Sequence, residues 1–256
     1  MTVPDDLREA ASRLAGSSSL LVATDFDGVL APLVQDPGAS RPLPGTIECL
    51  EGLAALPDTY AAVVSGRDLE TLTRLTGLHQ SAVSRIGSHG AESSDAGPGG
   101  LGEEERHRLK GLVEDLAAVS AAHPGSALEH KPAAVVLHTR GMSPEAAGAA
   151  ERDAVAVTAR HTGVHVLQGK HVVEASVVDA DKGTALLRLS GMLGASAVAY
   201  LGDDVTDEDA FAALGSEDLT VKVGPGDTGA RFRVESPQDA AEVLSLLLEL
   251  RSSACG

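Results

Sequence analysis

Short runs of apolar, β-forming residues recur along the chain, each closed by glycine or polar residues: Leu20–Thr24, Tyr60–Val64, Ala82–Ile86, Ala197–Leu201 and Thr220–Val223. Runs this rich in apolar residues are the signature of strands covered on both faces. Segments of helical period lie between them. Asp5–Leu14 predicts a short surface helix, and Leu69–Leu75, Asp181–Leu193 and Thr206–Leu214 predict three more. Pro44 suits the first turn of another, with Ile47, Leu50, Leu53 and Ala54 as its apolar stripe. Ser236-Pro237 opens a last amphipathic helix. The alternation predicts an α/β fold built on a doubly wound parallel-sheet, Rossmann-like core.

The rhythm changes in the middle of the chain. Ser93–Gly100 is rich in turn residues and marks a junction. Glu103–Ala122 reads as a helix, followed by short strands near Ala127–Glu129 and Ala133–Thr139. Pro144 opens a second helix to about Arg160, and Val164–Leu167 with His171–Glu174 reads as a hairpin across Gln168-Gly169-Lys170. This is an inserted α+β cap domain. The expected division is core over 1–100, cap over 101–176 and core again over 177–256.

Composition narrows the classes. Hydrophobic residues make up 43% and charged residues 22%, which is ordinary for a soluble globular chain. Aromatics are only 2%, so a pocket must recognise its ligand through polar contacts rather than ring stacking. The net charge of −17 argues against nucleic acid and anionic membrane as partners. It leaves a small anionic substrate open, given local positive charge or a metal ion. No stretch is long and apolar enough to span a bilayer, and the first residues lack a basic lead and apolar core. The two cysteines, Cys49 and Cys255, form neither a framework nor a metal-type spacing, so a cytoplasmic setting is expected.

Candidate chemistry collects at strand ends and helix starts. The first strand ends in Asp25-Phe26-Asp27-Gly28, two carboxylates one residue apart followed by a residue free to turn. The second ends in Ser65-Gly66-Arg67-Asp68, Lys182 begins a helix, and the strand before Gly202 runs into Asp203, Asp204 and Asp207. Together these form a phosphoryl-transfer kit. One carboxylate attacks phosphorus, another exchanges protons, a hydroxyl and an ammonium hold the equatorial oxygens, and Mg²⁺ neutralises charge. Each part also has a plain structural reading. Ser65 could cap the next helix, Lys182 could be a solvated helix start, and the acidic run could be a first helical turn. A lysine at a helix N-terminus is unfavourable for the dipole, which points to a purpose for Lys182.

The four motifs in this order resemble the haloacid dehalogenase-like phosphatase superfamily. The position of the insert and several details resemble its trehalose-6-phosphate phosphatase family. These are Leu30-Ala31-Pro32-Leu33 with Asp36-Pro37, Gly87-Ser88-His89-Gly90-Ala91-Glu92, and Gly202-Asp203-Asp204-Val205-Thr206-Asp207-Glu208-Asp209. The resemblance implies an Mg²⁺-dependent hydrolase of a disaccharide phosphate. It makes Asp25 the nucleophile and Asp27 the general acid/base, with Ser65, Gly66 and Lys182 on the phosphate. Asp203, the Asp25 side chain and the Asp27 backbone carbonyl would hold the metal, with Asp207 in support and Asp204 as a neighbour. Arg67 and His89 of the core and Glu129, Lys131, Arg140, Lys170 and Glu174 of the cap would bind substrate, the cap closing over it about hinges near Ala91–Gly102 and Ala175–Ala180.

Spacing agrees with a shared purpose for the cap residues. Glu129 and Lys131 are two apart and Lys170 and Glu174 four apart, so each pair can share a sheet face. A solvated, ion-paired sheet face would look the same. The chain departs from the family pattern at Val29, where a threonine is usual, and at Thr139, where an aromatic often precedes the arginine. The histidines lack zinc-type spacing. The alternatives left open are another sugar phosphate, such as sucrose 6-phosphate or a glycosyl phosphoglycerate, and a non-catalytic phospho-acceptor or sensor.

Overall fold

The computed structural model describes residues 3–95, 101–169, 171–178 and 181–255. The chain divides into two compact units, Met1–Asp95 with Asp181–Gly256, and Ala96–Ala180. The first unit begins α1 (Asp5–Ala15), β1 (Leu20–Thr24), α2 (Thr46–Ala54), β2 (Thr59–Val64), α3 (Leu69–Thr76), β3 (Ser84–Gly87) and β4 (Glu92–Ser93). The second unit holds α4 (Glu103–Ala122), β5 (Ala127–His130), β6 (Ala134–His138), α5 (Pro144–Thr158), β7 (His165–Gly169) and β8 (Val172–Ser176). The first then resumes with α6 (Lys182–Leu193), β9 (Ala197–Gly202), α7 (Asp207–Ala213), β10 (Leu219–Val223), β11 (Phe232–Val234) and α8 (Pro237–Cys255).

The sheet of the first unit has the order β11-β10-β9-β1-β2-β3-β4, all parallel except the last pair. Successive residues of β1 serve opposite faces. Leu20 and Val22 join a core with Leu7, Leu50, Leu53, Leu72, Val243 and Leu247 from α1, α2, α3 and α8. Leu21 and Ala23 join Leu186, Leu189, Ala210 and Phe211 from α6 and α7 on the other side. Helices on both faces are why the strands read as runs rich in apolar residues. From β1 the chain winds outward through β2 and β3, then returns and winds the other way through β9, β10 and β11. The winding direction therefore reverses at β1, and open α/β sheets gather ligands outside the carboxyl ends at such a point.

In the second unit four antiparallel strands lie in the order β5-β6-β8-β7. Val135, Leu137, Val173 and Ala175 are buried, with α4 against β6 and α5 against β8. The opposite parity carries Glu129, Val136, Glu174 and Leu167, which pair in register across all four strands.

Several boundaries differ from the sequence reading. Pro44 does not open α2; Gly45, at φ +86°, turns the chain and Thr46 is the first helical residue. The antiparallel β4 and the edge strand β11 are too short, at two and three residues, to leave a periodic signal. β7 runs on through Gln168 and Gly169, which pair with Val173 and Val172, so the link is tighter than expected and His171 adopts φ +64°. Part of the expected junction (96–100) and part of the second expected hinge (179–180) lie outside the described residues. Among the described residues no helix is long and apolar enough to cross a membrane.

Candidate active site

β1 delivers Asp25 to the reversal point of the sheet, where the Asp25 amide donates to the Leu201 carbonyl of β9 at 2.9 Å. Its side chain is nearly buried. Oδ2 accepts from Lys182 Nζ at 2.6 Å and Oδ1 from the Phe26 amide at 2.5 Å. The chain then turns through Gly28 at φ +76°, where a Cβ would stand 1.9 Å from Asp203 Oδ2. Glycine is required twice over, for the left-handed backbone and for the close approach of that carboxylate.

Lys182 is 1% exposed. It is no solvated helix start: α6 is capped by Asp181, whose Oδ1 accepts the Thr184 amide at 2.7 Å, and the ammonium bridges Asp25 to Asp207 Oδ1 at 2.7 Å. Asp207 is wholly buried and has four donors. Oδ1 also takes the Tyr200 hydroxyl at 2.6 Å, and Oδ2 takes the amides of Asp203 and Asp204, each at 2.9 Å. The first residue of α7 thus folds the acidic loop back over itself. Asp203 then projects its carboxylate towards Gly28, whereas Asp204 is exposed. Lys222 of β10, buried at 4% exposure, donates to the Asp203 carbonyl and lies 3.8 Å from Glu208.

Burial pushes the Asp25 carboxyl well above the usual carboxylate range; Lys182 draws it back and Asp207 adds to the rise. Burial and Asp207 likewise raise Asp203, to about 6. Burial lowers Lys182, but Asp25 and Asp207 outweigh it and leave the ammonium raised. Burial leads the upward shifts of Asp25 and Asp203, and the Asp207 charge adds to each. Oxygen atoms of Asp25, Asp203 and Asp207 can lie within 4.8 Å of one another, an all-oxygen set that suits a hard divalent ion such as Mg²⁺. Asp207 already accepts from four donors, so Asp25 and Asp203 are the carboxylates of this set that could hold an ion.

Asp27 stands one residue beyond the buried pair in a different setting. Arg67 Nε holds its Oδ2 at 2.5 Å and Nη2 its Oδ1 at 2.7 Å, while the Ser40 hydroxyl donates to Oδ1 at 3.1 Å. The guanidinium also lies 5.5 Å from the Phe26 ring centroid, and its bond to Asp27 raises its pKa further. Ser65 does not cap α3. Asp68 does so through the Thr71 amide at 2.7 Å, while Ser65 Oγ accepts the Arg67 amide at 3.2 Å. His89 rests against Gly66, where a Cβ would stand 2.5 Å from Cε1, and its amide donates to the Ser65 carbonyl at 3.0 Å. Ser88 and His89 both adopt left-handed φ, 50° and 55°, an uncommon state for residues with a Cβ.

In the second unit, Glu129 and Glu174 of the other candidates share one sheet parity with Val136, which is 3% exposed. Lys131 Nζ bonds Glu174 Oε2 at 2.7 Å, and His138 Nε2, which sequence reasoning had not singled out, bonds Glu129 Oε2 at 2.8 Å. Arg140 is exposed beyond β6, and Lys170 lies outside the described residues. Thr139 turns away to bond Glu151 at 2.6 Å. His161 pairs with Asp115 at 2.9 Å, in keeping with an ordinary hydrogen-bonded histidine.

The doubly wound sheet with its inserted α+β unit shares its fold with a solved haloacid dehalogenase-like hydrolase of Bacteroides thetaiotaomicron, at a TM-score of 0.59 and 12% identity. The trehalose-phosphatase family model matches residues 23–238, and the chain belongs to that family, whose members are phosphoric monoester hydrolases. It is 34% identical over 268 residues to a trehalose-phosphate phosphatase of Mycobacterium avium, covering 95% of this chain and 67% of that protein. It is 36% identical over 250 residues to a bifunctional trehalose-6-phosphate synthase/phosphatase of Thermoproteus tenax, covering 94% of this chain and 33% of the relative. The chain thus spans about a third to two thirds of the length of these relatives. The solved trehalose-6-phosphate phosphatase of Aspergillus fumigatus superposes with a TM-score of 0.74 at 26% identity, covering 97% of this chain and 99% of that one.

Proposed function

We propose that this chain hydrolyses trehalose 6-phosphate to trehalose and phosphate, with Mg²⁺ as cofactor and Asp25 as the phosphoryl acceptor. The observation that carries the reading is Asp25 at the reversal point of the sheet, ion-paired to buried Lys182 and beside Asp203 and Asp207. An Asp25 oxygen attacks phosphorus as the bond to the sugar oxygen breaks, and protonated Asp27 gives its proton to that oxygen. Asp27, now a carboxylate, takes a proton from water, whose oxygen attacks the aspartyl phosphate. Phosphate leaves and Asp25 is restored.

Ser65 and the Gly66 backbone bind the phosphoryl oxygens, and Lys182 holds Asp25 and the transferring group together. Asp25 and Asp203, with the Asp27 carbonyl, would hold Mg²⁺, and Asp207 would keep that loop folded. When bound, the ion supplies neutralisation of the charge on the phosphoryl group. Glu129, Lys131, Arg140, Lys170 and Glu174 serve the sugar. Carboxylates accept from its hydroxyls and cations donate to them, which suits a chain with few aromatics. His89 completes the phosphate side beside Gly66. Asp204 is a neighbour of the metal loop without a direct role. We place the reaction in the cytoplasm, where free thiols such as Cys49 and Cys255 persist.

Phosphate release from trehalose 6-phosphate, sucrose 6-phosphate and a glycosyl phosphoglycerate, with and without Mg²⁺, tests the reading. Multiple turnovers, dependent on Mg²⁺ and fastest on trehalose 6-phosphate, are expected. Preference for another sugar phosphate would overturn the substrate, and absence of turnover on all of them the catalytic assignment.

A further inference from the structure

Ser40 has no part in the reaction as described. It comes from the loop between β1 and α2, which carries four prolines at Pro32, Pro37, Pro42 and Pro44. Its residue is nonetheless fully buried at 0% exposure, and its hydroxyl reaches Asp27 Oδ1 at 3.1 Å. The loop that brings it there is tied down on either side. The Leu43 amide donates to the Leu30 carbonyl at 2.8 Å, the Gly28 amide to Ala31 at 2.8 Å, and Arg41 Nη1 to the Ser40 carbonyl at 2.7 Å. Val29, buried next to the turn, has no hydroxyl to offer.

We infer that Ser40 is a positioning residue for Asp27, an assignment that rests on the acid/base role proposed above. The two groups on Asp27 differ in what they can do. The Arg67 guanidinium is a donor only, and it contacts both oxygens, at 2.5 and 2.7 Å. It is matched to the carboxylate, and one of its contacts must yield whenever Asp27 carries the proton meant for the sugar oxygen. A hydroxyl both donates and accepts, so Ser40 can stay bonded to Oδ1 in the carboxylate and in the acid. It keeps the carboxyl aimed through the half of the cycle in which the arginine grip loosens.

The test uses the leaving group. A sugar alkoxide needs a proton as it departs, whereas p-nitrophenolate leaves without one. The ratio kcat/KM reports events up to phosphoryl transfer and so excludes the later attack by water. Ser40→Ala is expected to lower kcat/KM for trehalose 6-phosphate roughly ten- to hundredfold, the range for a lost hydrogen bond to a charged group. The loss on p-nitrophenyl phosphate is expected to be several times smaller, and Ser40→Thr, which keeps the hydroxyl, should recover much of the sugar-phosphate rate. If Ser40→Ala folds poorly, Ser40→Cys, near in size and a weak donor, supplies the same comparison. Equal losses on both substrates, or none, would overturn the role of Ser40. Asp27→Asn is measured alongside: if it too lacks the leaving-group preference, the acid/base assignment of Asp27 itself fails. A preference in Asp27→Asn without one in the Ser40 variants would remove Ser40 alone.

Discussion

The two units each carry a lysine–carboxylate pair of nearly the same length, and the pairs are physically unlike. Lys182–Asp25 spans 2.6 Å with side chains 1% and 7% exposed, and Lys131–Glu174 spans 2.7 Å with side chains 39% and 28% exposed. Removing one member of a buried pair leaves an uncompensated charge, at about 3–5 kcal/mol. An exposed pair contributes about 0–1 kcal/mol. The cluster proposed to carry the reaction is therefore held in place by the protein's own groups, with Asp207 fixed by two amides, a phenol and an ammonium. In the sugar-reading role proposed for them, the ion pairs of the second unit would be exchanged for sugar hydroxyls at little cost. Chemistry calls for fixed groups and recognition for groups free to change partners, and burial divides the two.

The sharpest way to break this contrast is at Asp25. Asp25→Asn should lower turnover by a factor on the order of 10⁴ or more, as loss of a nucleophile does. Lys182 retains Asp207 as a partner in that variant, so the circular dichroism spectrum and cooperative melting should survive. Near-normal phosphate release would end the nucleophile assignment. Lys182→Met comes next in size. It strands Asp25 and Asp207 together, and urea unfolding should show a loss of about 3–5 kcal/mol. An unchanged midpoint would mean that the buried cluster does not contribute to stability as a buried ion pair does.

Much of this frame is legible in the sequence because the candidate residues sit where apolar runs stop. Asp25, Ser65 and Asp203 each follow a strand, and the end of a buried strand shows in sequence as an abrupt change of polarity. Pairings set by strand order did not show. Lys222 in Thr220-Val221-Lys222-Val223 gives no sign of its partner, but β10 lies between β9 and β11 and its lysine is buried against the Asp203 carbonyl. Tyr200 reads as one more strand residue, and only the fold of the acidic loop brings Asp207 to its hydroxyl. Arg67 reads from the sequence as a substrate residue, and its grip on Asp27, forty residues away, depends on β1 and β2 being neighbours. Sequence displays where a strand ends, but not which strand lies beside it.

The smallest effect on stability, and the finest test of the comparison, falls on Glu174. It lies between Val136 and Leu167 in register, and its ion-pair partner is Lys131. Glu174→Ala should cost less than about 1 kcal/mol because the pair it breaks is partly solvated. For a chain of this length that corresponds to a fall in Tm of no more than about 4 °C. Activity should divide by substrate. A carboxylate that accepts from sugar hydroxyls gives up one or two charge-assisted hydrogen bonds, about 1.5–3 kcal/mol each, so kcat/KM for trehalose 6-phosphate should drop tenfold or more. An aryl phosphate has no such hydroxyls and should be hydrolysed at close to the original rate. Parallel losses on both substrates would show that Glu174 supports the fold or the chemistry instead of reading the sugar, and the division of labour between the two units would have to be redrawn.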